Sequence, residues 1–149
     1  HKNLRSMSAI DARKDGLREE FGFFESPEER FEYIISKTKN SEGLGAEFKT
    51  DEYLVRGCVS NLWLVPSLED GKCAFKTDAD SIITKGVANL VGGMYSGLSP
   101  QEVLDFDCAF LSEIGIEQYL SPNRRNGLSK LCEKIRAFAA AQIEAVAKK

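Results

Sequence analysis

A chain of 149 residues can form one domain with a hydrophobic core of ordinary size. Its 42 % hydrophobic and 29 % charged residues are typical of a globular protein, and a net charge of −3 with a pI near 5.3 disfavours nucleic-acid binding. The longest apolar runs are too short to cross a bilayer, so we expect no association with a membrane. We expect His1 to be the remnant of a purification tag and residues 1–16 to be a flexible segment before a domain over 17–149.

The first part of the chain predicts two helices. A short one is expected from Ser8 towards Phe21. The segment "ESPEERFEYIISK" indicates the second, with Ser26 as its N-cap, Pro27 at the first helical position and Glu29 completing a capping box.

Three short strands are expected in the middle of the chain. They are predicted at 53–56, 60–65 and 72–77, and the turn signal Asp70-Gly71 joins the last two. The expected arrangement is an antiparallel meander in which Cys58 lies at the first connection.

The rest of the sequence predicts helices. Asp80 is expected to cap one helix, and Ser99 with Glu102 forms a capping box for the next. A short helical piece at 114–119 precedes a loop, "LSPNRRNG", and a last helix over 128–148. The sequence therefore predicts a single α+β domain in which a small antiparallel sheet of about three strands packs against several helices.

The four cysteines have no Cys-x-x-Cys spacing, which argues against a metal cage, and all four are expected to be free thiols in an intracellular protein. Cys73 lies in a predicted strand, Cys108 at a helix end and Cys132 on an apolar helix face, so a role in the core is the simplest interpretation. Cys58 differs because Gly57 precedes it and permits a tight turn or the close approach of another molecule.

The chemistry open to Cys58 is limited by the lack of a base. The chain contains one histidine, His1, so a Cys–His dyad is nearly excluded. Thiol exchange needs no such partner, because the leaving group is itself a thiolate. No second cysteine lies within ten residues of Cys58, which favours a carrier of one sulfur atom over a dithiol relay. Arg56 could favour the thiolate, although a solvated role is the alternative.

Four motifs in order along the chain resemble the SufE/CsdE family of sulfur-acceptor proteins. They are "RGCVSNLWLV", "ADSIITKGVANL", "GLSPQEVLDFD" and "LSPNRRNGL", and the resemblance runs from about Leu17 to the C-terminus. The matching positions are Gly57, Cys58, Ser60 and Trp63, then Asp80, Lys85 and Gly86, then Pro100 and Asp105, and finally Leu120, Ser121, Pro122, Arg124, Asn126 and Gly127. Val59, Tyr119 and Tyr53 depart from the usual residues, which affects partner fit more than the cysteine.

The resemblance implies a SufE/IscU-like fold and a function. Such proteins take persulfide sulfur from a cysteine desulfurase of the SufS/CsdA type, stimulate that enzyme and pass the sulfur to an iron–sulfur scaffold complex. Cys58 would be the acceptor, pyridoxal phosphate would belong to the partner, and this chain would need no cofactor or metal. A monomer in the cytoplasm is expected, or in an organelle stroma or matrix if a targeting peptide was removed.

The residues expected to support Cys58 each have more than one possible role. Arg56 and Gly57 directly precede the cysteine. Asp80 is either an N-cap or a positioning residue near Cys58. Arg124 either anchors the cysteine loop or meets the desulfurase, with a structural hydrogen bond to backbone carbonyls as the alternative. For the whole protein, the alternatives are a regulatory module that activates a desulfurase without carrying sulfur, and an iron–sulfur or zinc scaffold.

Overall fold

The computed structural model of the protein describes residues 8–148, so His1 lies outside the described part. The predicted α+β class is confirmed. The helices are α1 (Ala9–Gly22), α2 (Pro27–Lys39), α3 (Ile82–Tyr95), α4 (Pro100–Asp105), α5 (Phe110–Glu113) and α6 (Pro122–Ala147), with 3₁₀ turns at Ala46–Phe48 and Glu117–Tyr119 and strands β1 (Leu62–Glu69) and β2 (Lys72–Ala79). Among the described helices, none is long and apolar enough to traverse a bilayer.

The sheet is an antiparallel hairpin of β1 and β2, paired from Leu62 opposite Ala79 to Glu69 opposite Lys72. The predicted turn is present: Asp70 and Gly71 have φ values of 54° and 77°, as a two-residue type I′ turn requires. This turn matches the twist of the strands that it joins.

The expected third strand at 53–56 is reduced to one bridge between Leu54 and Trp63. The N–H of Val55 still donates to Leu62 O at 2.8 Å. The pairing then stops, because Gly57 adopts a φ of 89° and turns the chain away from β1. As predicted, this places Cys58 in the connection that leads into the hairpin.

Helix α1 crosses the expected domain boundary at residue 17, since it begins at Ala9 with Ser8 as its N-cap. Ser26 caps α2 as predicted, but the Glu29 carboxylate accepts from the N–H of Glu25 instead of closing a capping box. The predicted capping box at the start of α4 is confirmed in full.

Helix α6 begins earlier than predicted, at Pro122. The Ser121 hydroxyl accepts a hydrogen bond from the N–H of Arg124 at 3.3 Å and caps the helix. The segment "LSPNRRNG", predicted as a loop, therefore supplies the first turns of α6, and Gly127 lies inside the helix. Its Ser-Pro start is the same signal that opens α2 and α4.

The core lies between the hairpin and the helices. Helix α3 packs on β2 and against α2 and α6, while α6 also contacts α4 and β1. Trp63, on β1, is part of the buried interior. The buried Tyr95 hydroxyl donates to Phe106 O at 2.6 Å, which ties α3 to the end of α4.

Cys108 and Cys132 form a disulfide with their Cα atoms 6.5 Å apart, so the prediction of four free thiols was wrong for this pair. The bond joins the connection before α5 to the middle of α6. No local pattern indicates this pairing, because the two residues are brought together by packing between α4 and α6. Cys58 and Cys73 are free.

Candidate functional site

Cys58 lies on a loop over residues 56–61, here called the Cys58 loop, which rests against the first turns of α6. The Asn126 side-chain amide donates to Gly57 O at 3.0 Å. The Cys58 sulfur points at the carbonyl oxygen of Gly127, 3.9 Å away. A Cβ atom at Gly127 would lie 3.3 Å from this sulfur, so a glycine in the helix makes room for the thiol.

One face of α6 follows the chain from Leu54 to Gly57. Asn126, Lys130 and Lys134 are spaced by one helical turn each and share this face. Lys134 Nζ donates to Leu54 O at 3.0 Å, and the stem of Lys130 packs on Gly57. Three successive turns of one helix therefore position the segment that presents the cysteine.

Asp80 fastens the other end of the Cys58 loop. Its Oδ2 accepts from the Asn61 side-chain amide at 2.9 Å, and its N–H donates to Asn61 O at 3.1 Å. The prediction that Asp80 is an N-cap was wrong: Ser81 occupies that position and makes no side-chain capping bond. The long-range contact with Asn61 draws the carboxylate to the Cys58 loop, so the geometry matches the alternative of loop positioning.

The sulfur borders a cleft of about 200 Å³ between the Cys58 loop and the starts of α3 and α6. The lining residues are mostly small and polar. They are Cys58, Val59, Ser60, Ser81, Thr84, Ser121, Asn123, Arg124 and Gly127. The cleft can therefore admit a narrow group that approaches the thiol.

Arg124 lies in this cleft, in the first turn of α6. Its Nη2 donates to the Ser81 hydroxyl at 3.4 Å, which links the starts of α6 and α3. This partner is a side chain and not the backbone carbonyl that the sequence suggested as an alternative. Arg124 therefore lies at the site, exposed to a molecule that enters the cleft.

The pKa of the Cys58 thiol lies above its ordinary value, because burial raises it by more than the positive charge of Lys130 lowers it. Arg56 was the cation proposed from the sequence, but it is exposed and makes no hydrogen bond or ion pair with any residue in 8–148. Lys130 was missed because it lies far along the chain. Only its helical spacing from Asn126 could have indicated it, once the helix was known to begin at Pro122.

Two exposed apolar side chains flank the cleft. Val59, next to Cys58, is 77 % exposed, and Ile82, at the start of α3, is 43 % exposed. Both apolar side chains are therefore accessible from solvent.

Within residues 8–148, no group of three or more His, Cys, Asp or Glu side chains is arranged to hold a metal ion. An iron–sulfur or zinc scaffold needs such a cluster. The described part of the chain therefore lacks the feature on which that alternative depends.

Together, the fold and the site define a small α+β domain that presents one half-buried thiol at a polar cleft, and residues 8–148 contain no histidine. Residues 15–139 match the family model of the SufE Fe–S metabolism associated domain. The chain therefore belongs to the SufE family, as the sequence motifs indicated.

Relatives agree with this assignment, and a solved structure has the same fold. The chain is 36 % identical over 127 residues to "SufE-like protein 1, chloroplastic/mitochondrial" of Arabidopsis thaliana. The match covers 85 % of this chain and 34 % of the Arabidopsis protein, so this chain spans about a third of the length of that relative. It is 29 % identical over 136 residues to an uncharacterized SufE-like protein of Rhizobium meliloti (strain 1021), covering 88 % of this chain and 97 % of the relative. A hypothetical protein of Thermus thermophilus, solved in solution, has the same fold, with a TM-score of 0.72, 18 % identity and coverage of 89 % of this chain and 96 % of that one.

Proposed function

We propose that this protein accepts sulfane sulfur on Cys58 from the persulfide of a cysteine desulfurase, stimulates that enzyme and passes the sulfur to iron–sulfur cluster assembly. Membership of a family associated with Fe–S metabolism supports the setting. The observation that carries the proposal is the state of the four thiols. Cys58 is free and reaches a cleft, whereas Cys73 is free but only 1 % exposed, and Cys108 and Cys132 are bonded to each other.

The transfer balances without an added oxidant. The Cys58 thiolate attacks the terminal sulfur of the donor's Cys–S–SH, which forms the S–S bond of Cys58–S–SH and breaks the donor's S–S bond. The donor cysteine leaves as a thiolate, which needs no general acid at neutral pH because thiol pKa values lie near 8.5. Absence of a histidine from residues 8–148 is therefore compatible with this reaction.

The surroundings of Cys58 suit storage at rest and transfer on docking. Half-burial against Gly127 raises the thiol pKa and limits unwanted oxidation. Docking of the desulfurase on Val59 and Ile82 would bring the donor persulfide to the mouth of the cleft. In this scheme pyridoxal phosphate belongs to the desulfurase, and this chain contributes a thiol and the loop that presents it.

The partners follow from the same proposal. They are a desulfurase of the SufS/CsdA type as donor and an iron–sulfur scaffold complex as recipient, with this chain acting as a monomer. The cytoplasm is the proposed location, and an organelle is the alternative; the Arabidopsis relative is named as chloroplastic or mitochondrial.

A second candidate is a regulatory module that activates the desulfurase without carrying sulfur, which the exposed Val59 and Ile82 would also serve. Cys58→Ser separates the two, with Cys73→Ser as a matched control. For a carrier, Cys58→Ser abolishes sulfur acceptance and most of the stimulation of desulfurase turnover, while Cys73→Ser retains both. Full stimulation by Cys58→Ser would favour the regulatory module instead.

A further inference from the structure

Lys130 lies one helical turn beyond Asn126 on the face of α6 that follows the Cys58 loop. A Cβ atom at Gly57 would be 3.3 Å from Lys130 Cε and 3.6 Å from its Cδ and Cγ. The lysine stem therefore crosses the residue directly before Cys58, and only a glycine leaves it this room. Packing of the methylene groups, rather than an ion pair, holds Lys130 against the residue that precedes Cys58.

The charged groups around Cys58 come from three elements. Arg56 belongs to the Cys58 loop itself, Asp80 precedes α3, and Lys130 and Arg124 belong to α6. Asp80 is engaged by Asn61, and Arg124 donates to Ser81. Lys130 differs from these groups because its stem lies against Gly57, the residue bonded to Cys58. In agreement with this placement, its positive charge acts to lower the pKa of the Cys58 thiol, which burial raises.

We propose that Lys130 is the positioning residue for the anionic sulfur of Cys58, first for the thiolate that attacks the donor and then for the perthiolate that carries the sulfur. The first half of this proposal, the role toward the thiolate, concerns the isolated chain. The second half, the role toward the perthiolate, rests on the proposed function.

The chemistry of transfer explains why a lysine suits both stages. The product Cys58–S–SH loses its terminal proton to solvent and becomes Cys58–S–S⁻, without gain or loss of electrons. The negative charge then lies one sulfur atom further from the Cys58 backbone. An ammonium group on a flexible four-carbon stem can follow this shift, whereas an arginine fork is more rigid.

Two alkylating reagents of different charge test the first half. Iodoacetamide is neutral and iodoacetate is an anion, and peptide mass spectrometry measures the modification of Cys58 by each across a pH series. Lys130→Met keeps an apolar stem and removes the charge; Lys130→Arg keeps the charge; Arg56→Met removes the cation that is nearest in sequence.

For Lys130→Met we expect alkylation by iodoacetamide at neutral pH to slow by about threefold, because the pKa of the thiol rises, and the iodoacetate-to-iodoacetamide rate ratio to fall by about threefold. Lys130→Arg should restore the ratio, and Arg56→Met should leave it unchanged. A loosened loop would accelerate both reagents together without changing their ratio. An unchanged ratio in Lys130→Met, or an equal fall in Arg56→Met, overturns the proposal.

The same reagents, applied to protein loaded with sulfur by a desulfurase and cysteine, test the second half. The iodoacetate-to-iodoacetamide rate ratio for alkylation of the perthiolate should fall in Lys130→Met, and an unchanged rate ratio overturns the second half of the proposal. Alkylation of the unloaded protein needs no desulfurase. A negative result there concerns Lys130 alone, and a failure of sulfur loading concerns the proposed function alone.

Discussion

The side-chain amide of Asn126 donates a 3.0 Å hydrogen bond to the carbonyl oxygen of Gly57, and so joins α6 to the loop that carries Cys58. Asn126→Ala removes this bond. We expect the free energy of unfolding to fall by about 1 kcal/mol and Cys58 to be alkylated several times faster, because the loop is released at this end. Urea denaturation and alkylation rates measure the two effects.

Asn123→Ala is the matched control for this change. Asn123 lines the same cleft but makes no side-chain hydrogen bond to any residue of the described part. Asn123→Ala should leave the free energy of unfolding and the rate of Cys58 alkylation near those of the parent. Equal acceleration in the two variants would contradict a specific role for the Asn126 bond.

Gly57 is held in the left-handed region, with a φ of 89°, and packs under Lys130. Gly57→Ala should cost about 1–3 kcal/mol of unfolding free energy, since strain of the backbone adds to contact with the lysine stem. Gly71→Ala provides the comparison, because Gly71 has a φ of 77° but open space around it. Urea denaturation should show the greater loss for Gly57→Ala, and an equal or smaller loss would contradict the close packing of Lys130.

Asp78 is a buried carboxylate, 2 % exposed. It accepts hydrogen bonds from the N–H groups of Leu44 and Ala79. It also forms ion pairs with Lys49, at 3.2 Å, and with Lys85, at 3.6 Å. Burial acts to raise its pKa, but these donors outweigh burial and hold the pKa below the ordinary value of 3.8. The unfolded chain therefore binds the proton more readily. The stabilisation is complete above the ordinary value and is lost as the pH falls through the lower, folded-state pKa.

Asp78→Asn should lower the free energy of unfolding at neutral pH by about 2–3 kcal/mol and reduce the loss of stability on acidification. Urea denaturation at neutral pH and across the acid range measures this effect. Asp105→Asn is the control, because that exposed carboxylate accepts only from Gln101 within residues 8–148. The same acid sensitivity in Asp78→Asn as in the parent would contradict the account of Asp78.

The Cys108–Cys132 bond closes a long segment of the chain, with a sequence separation of 24. Reduction should lower the free energy of unfolding by about 2–4 kcal/mol, because the unfolded chain gains freedom. Cys132→Ala should produce the same loss without reductant, and reductant should then have no further effect. Thiol titration of the denatured parent should find two thiols before reduction and four after it; four at the outset would contradict the bond.

Local signals in the sequence predicted the elements, whereas contacts distant in sequence decided the site. The capping box of Ser99 and Glu102 and the Asp70-Gly71 turn depend on neighbouring residues, and both are confirmed. The start of α6 was missed because Asn126-Gly127 resembles a turn, although Ser121-Pro122 repeats the start of α2. Helical continuity and tertiary packing override such a two-residue signal.

The charge at the site could not be read from sequence neighbours. Arg56 is close to Cys58 along the chain, yet it is the stem of Lys130 on α6 that packs on Gly57, the residue directly before Cys58. Asp80 was predicted as a cap from its place before a helix, but Asn61 competes for its carboxylate. Cys58 could be singled out from the sequence because Gly57, directly before it, is a local feature.

The most direct test of the proposed function is the location of the sulfur after turnover. The protein is incubated with a cysteine desulfurase and cysteine, the thiols and persulfides are alkylated, and peptides covering all four cysteines are analysed by mass spectrometry. The proposed function predicts an added sulfur atom on Cys58, with none on Cys73. Sulfur on Cys73 in preference to Cys58, or on no cysteine while the desulfurase is stimulated, would contradict it.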